Sequence, residues 1–385
     1  MTASTSLPPI PLPPTIRSRM VDNSNGLSMH VLEAGFETKR RPCVLLLHGF
    51  PELAFSWRKV MPALAAAGYH VIAPDQRGYG RTTGWSADYD GSLAPFRFPN
   101  LVRDALGLVS AFGYRTVDAV VGHDFGSPVA AWCALIRPDV FRAVVMMSAP
   151  FPGPPALPFD TVDKPPAPPR DDPVQRDLAA LPRPRKHYQW YYSAREANED
   201  MQDAPQGVHD FLRAYYHHKS ADWPGNTPHP LLAWSAAELA QLPTYYVMDL
   251  AETMAQTVAK EMPDPGAVAA NRWLPDVELA FYSAEYRRTG FQGGLQWYRC
   301  GTSGAFDAEL QLWSGRRIEI PSAFISGRQD WGTHQRAGAF EAMQTRSCSN
   351  MLLCELIDGA GHWVQQEQPE EVSRLLLSFL NKSTA

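Results

Sequence analysis

Residues 117–136 read VDAVVGHDFGSPVAAWCALI, and this stretch decides the fold. An apolar, β-rich run leads into Gly-His-Asp-Phe-Gly and then directly into a helical pattern. This spacing is typical of a nucleophile elbow, in which the central residue, here Asp124, occupies a strained strand-to-helix turn. Gly122 and Gly126 are needed because neighbouring backbone passes too close for a Cβ atom. The Asp124 side chain is thereby held above the end of the strand, near a helix N-terminus that favours negative charge.

Other short β-rich runs alternate with helical patterns through the first 150 residues. They are CVLLL at 43–47, HVIA at 70–73 and AVVMM at 143–147. Helical stretches such as LVRDALGLVSAFG separate them, and each ends in a glycine that suits a helix C-cap. Strands spaced by helices imply βαβ units, so we expect an α/β fold with a mainly parallel sheet and helices on both of its faces.

The alternation breaks after the fourth run. Residues 151–184 are dense in proline and predict a long connecting loop, and an aromatic-rich helical region without strand signals follows at about 187–300. The β pattern returns at 318–325 and 351–357, and a C-terminal helix closes the chain. We therefore predict a core of residues 1–152 and 313–385, interrupted by residues 153–312 as a proline-rich entry loop and a helical cap.

Composition and charge exclude several classes of protein. The 385 residues carry a formal net charge of −5 and no basic tract, which argues against nucleic acid or an anionic membrane as a partner. No run of eighteen apolar residues predicts a membrane span, and the first twenty residues lack the apolar core of a signal peptide. The five cysteines are scattered, without the spacing of a disulfide framework or a zinc site. We expect a soluble, cytoplasmic protein without metal or cofactor.

Three more loops carry candidate functional residues. His48-Gly49-Phe50-Pro51 follows the first apolar strand, where a backbone N–H is placed to help form an oxyanion hole. Asp330 follows the strand-like IPSAFISG, and His362 follows ELIDGAG. Any lone Asp or His is usually a surface or turn residue, and Asp124 alone could be a helix cap. Here, however, four such loops each follow a predicted strand, and three of them carry Asp124, Asp330 and His362 in the order nucleophile, acid, histidine. This arrangement predicts a catalytic site.

With these motifs the chain resembles a known family, the epoxide hydrolases of the α/β-hydrolase fold. The resemblance rests on HGFPELAFSWR (48–58), DQRGYG (75–80), GHDFG (122–126), SGRQDWG (326–332) and GAGHW (359–363). It also reaches the insertion, where HYQWYY (187–192) and GFQGGLQWYR (290–299) are similar to the two segments that carry the family's cap tyrosines. The match identifies these as Tyr188 and Tyr298, with Tyr191 and Tyr192 as alternatives for the first.

The resemblance implies a mechanism in two steps. Asp124 attacks an epoxide carbon and forms an ester, while Tyr188 and Tyr298 act as general acids towards the departing oxygen. Water then attacks the ester with His362 as its base, and Asp330 orients that imidazole. Packing within a helical cap is the alternative reading of the two tyrosines, because aromatic side chains are common there.

The resemblance to the epoxide hydrolases also implies an oxyanion hole and a substrate pocket. The backbone N–H groups of Phe50 and Phe125 would meet the oxyanion that forms on Asp124. The expected partners are a small epoxide and water, and the oligomeric state is open. The side chains expected to bind the substrate are His48, Pro51, Trp57, Trp190, Trp331 and Trp363.

Several other functions stay open from the sequence. A haloalkane dehalogenase would carry Trp in place of Phe125, or Asn in place of Phe50 in another subgroup, and a fluoroacetate dehalogenase would carry Arg after the nucleophile. An esterase would need Ser in place of Asp124. A non-catalytic member of the fold and a cyclase that opens an epoxide internally are further alternatives. The pair His217-His218 is expected to be solvated on a helix and not to bind metal.

Overall fold

The computed structural model describes residues 7–161 and 173–383, and their main feature is one eight-stranded sheet. Its strand order is β1-β2-β4-β3-β5-β6-β9-β10. The pairs β1·β2 and β2·β4 are antiparallel, and all other neighbours are parallel. The strands are β1 (Ile16–Asp22), β2 (Ser28–Ala34), β3 (Cys43–Leu47), β4 (His70–Pro74), β5 (Ala119–His123), β6 (Val144–Met147), β7 (Arg185–His187), β8 (Val247–Asp249), β9 (Ser322–Gly327) and β10 (Met351–Ile357).

Helices flank the sheet and fill the insertion. Helices α1 to α3 and α14 to α16 belong to the parts of the chain that form the large sheet. Helices α4 to α13 lie between β6 and β9. The helices are α1 (Met61–Ala66), α2 (Phe98–Ala111), α3 (Gly126–Ile136), α4 (Val174–Ala179), α5 (Tyr188–Tyr192), α6 (Ala197–Gln202), α7 (Gly207–Lys219), α8 (Ala236–Leu239), α9 (Met254–Ala259), α10 (Pro265–Ala270), α11 (Asp276–Thr289), α12 (Gln292–Ser303), α13 (Asp307–Leu310), α14 (Ala339–Ala342), α15 (Val364–Glu367) and α16 (Pro369–Ser383).

The predicted α/β fold class, with a mainly parallel sheet, is confirmed, and the central strands show why the sequence indicated it. Every residue of β3, β4, β5 and β6 is buried, as expected for parallel strands covered on both faces. Their continuous apolar runs are therefore visible in the sequence. The first strand had no such signal, because five of its seven residues are exposed at the edge of the sheet. The hairpin β1–β2 was accordingly not predicted.

The insertion departs from its sequence prediction in two places. Its expected lack of strands is wrong, because β7 and β8 pair antiparallel within it. Both have only three residues, too few to show a period-2 pattern. The predicted loop at 151–184 contains α4, and residues 162–172 of that loop lie outside the described residues.

The returning β pattern is shorter than predicted. Strand β9 begins at Ser322, and Ile318 makes only an isolated bridge to Cys348. Pro321 separates the two, and proline cannot donate to a strand ladder. Among the described helices, none is both long enough and apolar enough to cross a membrane.

Candidate active site

Asp124 sits in the turn between β5 and α3 with φ of +51°, the left-handed region that side chains rarely adopt. A Cβ atom on Gly122 would overlap the carbonyl oxygen of Gly126, and a Cβ on Gly126 would overlap that of Leu47. Both overlaps are with backbone, which cannot rotate away. The two glycines therefore let the turn form at the sheet's carboxyl edge, and the strained backbone points the Asp124 carboxylate out of the sheet.

Two groups contact the Asp124 carboxylate from opposite sides. The backbone N–H of Phe50 donates to Oδ1 at 2.9 Å, and Nε2 of His362 lies 3.2 Å from Oδ2. A Cβ atom on Gly49 would overlap the Asp124 side chain, so glycine is required there too. Burial raises the pKa of Asp124, but the contact and charge of His362 and the charge of Lys219 outweigh it, and the pKa falls below its usual range. The Asp124 side chain is therefore an ionised carboxylate at neutral pH.

Asp330 holds the other side of the histidine ring. Its Oδ1 lies 3.0 Å from Nδ1 of His362 and accepts the Gly332 N–H at 2.7 Å, while its Oδ2 accepts the Ser326 hydroxyl at 3.1 Å. Burial raises the pKa of Asp330, but the charge of His362 and the hydrogen bonds from His362, Ser148 and Gly332 together outweigh it, so the pKa falls below its usual value. The three side chains expected from the order of the loops are thus brought together, with the imidazole between two carboxylates.

A second buried acid–histidine pair, which was not predicted from the sequence, lies behind this site. Nδ1 of His123 lies 2.6 Å from Glu52, and its Nε2 lies 2.7 Å from the carbonyl oxygen of His362. Gln365 and Gln366 each donate to the other Glu52 oxygen at 2.9 Å. Glu52 lies in the motif HGFPELAFSWR and His123 in the motif GHDFG. Their position in the chain, next to candidate site residues, was the signal that could have pointed to this pair.

The cap tyrosines converge above the elbow. Tyr188 on α5 and Tyr298 on α12 have ring centroids 5.8 Å apart, and each side chain is only 4% exposed. The Tyr298 ring also contacts Phe50 at 5.6 Å and Phe125 at 5.1 Å, the two residues that flank Asp124. Helices α5 and α12 of the insertion therefore bring two phenols close to the turn that carries Asp124.

The neighbouring tyrosines of α5 have other partners. The Tyr191 hydroxyl donates to Asp200 at 2.9 Å, and the Tyr192 hydroxyl donates to Tyr215 at 3.2 Å. The Tyr188 hydroxyl donates to Gln335, on the loop after Asp330, at 3.2 Å. These contacts favour Tyr188 as the first cap phenol.

Electrostatics keep both candidate phenols protonated. Burial raises the pKa of Tyr188 and of Tyr298 well above the usual value, and the nearby charge of Asp124 raises both further. Loss of the Asp124 charge would therefore make each phenol a stronger acid. That dependence links the state of the nucleophile to the acidity of the groups above it.

Three of the residues expected to bind the substrate lie within the core. His48 is fully buried, its Nε2 accepts the Gln76 N–H at 3.1 Å and its Nδ1 faces the Gly49 carbonyl. Trp57 is fully buried as well. Trp363 packs on the His362 ring at 4.6 Å and donates its indole N–H to the backbone carbonyl of Tyr216 at 2.8 Å. Their contacts are those of side chains that support the site from behind.

The other three lie nearer the cap. Pro51 follows a cis peptide bond, and its carbonyl accepts the Tyr216 hydroxyl at 3.1 Å. Trp190 is half-buried and its ring contacts His187, while Trp331 is buried against His229. That these three side chains bind the substrate stays a prediction.

The expectation that His217-His218 is solvated is wrong for His218. This side chain is fully buried, with its ring 4.5 Å from Trp223 and 4.8 Å from Tyr245. Burial lowers the pKa of His218 to about 3, so the ring is neutral. The reason is tertiary, because the chain that follows α7 folds back and places Trp223 and Tyr245 against this ring. Across residues 7–161 and 173–383, no three His, Cys, Asp or Glu side chains are grouped to hold a metal ion.

Comparisons with known proteins agree with this architecture. The family model described as the alpha/beta hydrolase fold matches residues 42–190. Epoxide hydrolase B of Mycobacterium tuberculosis is 32% identical, with 93% of this chain and 96% of that protein covered. Epoxide hydrolase A of the same organism is 33% identical, with 94% and 96% covered. A solved epoxide hydrolase from an endophytic Streptomyces superposes with a TM-score of 0.74 at 31% identity, with 96% of both chains covered. These similarities span the insertion as well as the sheet.

Proposed function

The chain belongs to the epoxide hydrolases of the α/β-hydrolase fold, and from that premise we propose that it converts an epoxide and water into a vicinal diol through an ester on Asp124. One observation carries the proposal. The Asp124 carboxylate is held between the Phe50 N–H and the His362 imidazole, below a pair of phenols that the cap supplies.

In the first half-reaction, Oδ2 of Asp124 attacks a ring carbon. The carbon–oxygen bond of the epoxide breaks and its electron pair stays on the oxygen, which takes a proton from Tyr188 or Tyr298. The phenol then regains a proton that His362 gives up. The state reached is a neutral ester, a neutral imidazole and a hydroxyl group on the bound product. Two phenols suit an oxygen that stays attached to the substrate and needs a hydrogen bond as its charge develops.

In the second half-reaction, water attacks the ester carbonyl carbon and gives a proton to Nε2 of His362. The Phe50 N–H stabilises the oxyanion on Oδ1, since it already donates to that atom at 2.9 Å. The ester bond to the product then breaks, and the departing oxygen takes the second proton of the water. The carboxylate and the imidazolium return to their starting states. We propose that the Phe125 N–H is the second donor of this oxyanion hole.

We further propose that residues 1–152 and 313–385 form the catalytic core, that residues 153–312 form its cap, and that the protein works in the cytoplasm. The free thiols of all five cysteines support a reducing compartment. The position of α4 to α13 between β6 and β9 supports the division into core and cap.

A single turnover in ¹⁸O-labelled water, with enzyme in excess over a styrene-type or aliphatic epoxide, tests this function. Because water attacks the carboxyl carbon, the first diol should carry unlabelled oxygen from Asp124, and the label should appear in the peptide that contains Asp124. Asp124→Asn should form no diol while unfolding at the wild-type temperature. Label in the first diol, with none in that peptide, would show direct attack of water and refute the ester.

A further inference from the structure

Lys219 is a buried cation at the C-terminal end of α7, where it faces aromatic rings. The residue is 2% exposed. Its Nζ lies 4.8 Å from the ring centroid of Tyr246, 5.4 Å from those of Tyr215 and Trp363, and 5.7 Å from that of Tyr245. The faces of these rings attract a cation, most strongly where water is excluded. The four rings can therefore hold an ammonium group that the chain has removed from water.

The charge of this ammonium is not neutralised by a direct ion pair. Among the described residues, no carboxylate lies within 4.0 Å of Nζ and none accepts a hydrogen bond from it. Buried ammonium groups usually have such a partner, because desolvation of an unpaired charge is costly. Burial lowers the pKa of Lys219, while the charges of Asp124, Asp330 and Glu52 act in the opposite direction and favour the ammonium. Its field therefore extends over the candidate site.

The backbone holds Lys219 at a fixed distance from the candidate base. The His362 N–H donates to the Lys219 carbonyl at 2.9 Å. The Glu367 carboxylate then joins the two segments, since it accepts the N–H groups of Ala221, Gly361 and Trp363 at 2.8 to 2.9 Å. The end of α7 and the histidine loop are thus one hydrogen-bonded unit, and the backbone that carries the Lys219 side chain is fixed relative to the backbone that carries the imidazole.

Charged groups from several elements face the His362 ring. Asp124 contacts it from the elbow and Asp330 from the loop after β9, His123 lies 5.1 Å away on β5 with Glu52 behind it, and Lys219 faces it from α7. In the resting state the carboxylates stabilise the imidazolium. Formation of the ester removes the Asp124 charge, and the opposing ammonium then has a larger relative influence.

We propose, on the premise of the function above, that Lys219 is a positioning residue acting through His362: its ammonium favours the neutral, basic imidazole once Asp124 has become an ester. The pKa of His362 agrees with this role. Burial and then the Lys219 charge lower that pKa, while Asp330 and Asp124 raise it above the usual value in the resting site. Esterification removes the Asp124 contribution and leaves that of Lys219.

The test is the pH dependence of ester hydrolysis, measured in single turnovers of Lys219→Met and Lys219→Arg. A cation lowers the pKa of a nearby imidazole, so its removal raises that pKa and moves the acid limb of the hydrolysis rate to higher pH. We expect a shift of about one pH unit, and so about tenfold slower hydrolysis on that limb, in the Met variant. Lys219→Arg should keep the wild-type profile. Lys260→Met, which removes an exposed lysine of the cap, is the control and should leave the profile unchanged.

The outcomes separate this inference from the function on which it rests. If the wild type forms the Asp124 ester and folded Lys219→Met hydrolyses it with an unchanged acid limb, the inference is wrong and the function stands. If the wild type forms no ester, the function itself is wrong. Should the Met variant unfold, Lys219→Gln, which retains a polar end but no charge, is measured in the same way and must show the same upward shift.

Discussion

At the residue scale, the candidate site combines a strained backbone at Asp124 with several charged groups buried close together. The carboxylate of Asp124 stands on a backbone with positive φ, between glycines that admit no Cβ atom. Its neighbour His362 is enclosed by two carboxylates and by the ammonium of Lys219. Each of these groups has a pKa that its neighbours move, so a change at one alters the protonation of the others.

The role of His362 separates the two half-reactions. His362→Gln should still form the Asp124 ester, because the carboxylate attacks without a base. Hydrolysis of the ester should slow by roughly 10²–10⁴-fold, the usual contribution of a general base. Mass spectrometry of the variant mixed with an epoxide should show the adduct accumulating on the peptide that contains Asp124. An unchanged steady-state rate without adduct would remove His362 from the mechanism.

At the element scale, the two candidate acids come from helices that are remote in sequence. Helix α5 carries Tyr188 just after β7, and α12 carries Tyr298 at its middle. The α5 backbone is anchored by the Tyr188 N–H, which donates to the Tyr246 carbonyl beside β8 at 2.8 Å. Helices α5 and α12 also pack on each other. The small sheet and the helix pair together set the distance between the phenols.

Substitution of these phenols tests their shared function. Tyr188→Phe or Tyr298→Phe should weaken ester formation without abolishing it, because the remaining phenol still donates. The double variant should lose roughly 10²–10⁴-fold in that step, and ester hydrolysis should change much less. Stopped-flow measurement of both steps provides the result.

The matched control is Tyr191→Phe, which removes a hydroxyl of the same helix that binds Asp200 instead. It should open epoxides at nearly the wild-type rate. Ester formation at the wild-type rate in the double variant, or faster turnover of a matched haloalkane than of any epoxide by the wild type, would contradict the assignment.

At the scale of the whole molecule, function depends on how the insertion sits on the sheet. Helix α12 crosses the loop after β4 at a pair of glycines, Gly78 and Gly293, and a Cβ atom on either would overlap the backbone of the other. The indole N–H of Trp297 donates to the Arg77 carbonyl at 2.9 Å beside this crossing. Tyr298 is the next residue. Its place above Asp124 therefore depends on a close contact between two backbones.

An added methyl group should disturb that contact. Gly293→Ala should destabilise the protein by about 1–3 kcal/mol, because the overlap is with backbone atoms and the helix must move. Ester formation should slow through displacement of Tyr298, while ester hydrolysis should be affected less. Thermal unfolding and single-turnover kinetics measure the two effects.

Gly301→Ala on the same helix is the control, since a Cβ atom there meets nothing within 4 Å. Alanine favours helix over glycine by about 1 kcal/mol, so this variant should be at least as stable as the wild type. If Gly293→Ala matches Gly301→Ala in stability and in ester formation, the glycine crossing does not position the cap phenol.

The sequence by itself was sufficient for features that local patterns encode. Strands buried on both faces appear as unbroken apolar runs, which is why β3 was predicted at its observed bounds. Strand β10 is only partly buried, but its mainly apolar sequence MLLCELI also predicted its observed bounds. The glycine spacing around Asp124 and the order of the loops carrying Asp330 and His362 are likewise local signals. They predicted which residues would meet at the carboxyl edge, and the resemblance to epoxide hydrolases supplied the tyrosines.

Only the tertiary structure decided the surroundings of those residues. The sequence around Lys219 and His218 does not show that they are buried, because their burial requires the chain after α7 to fold back over them, with Trp223 on His218 and Tyr246 on Lys219. The partner of His123 is Glu52, and the contacts that distinguish Tyr188 from Tyr191 likewise arise between separate elements. A local pattern specifies which way a side chain faces, but the electrostatics of a site depend on distances between parts of the chain that only folding brings together.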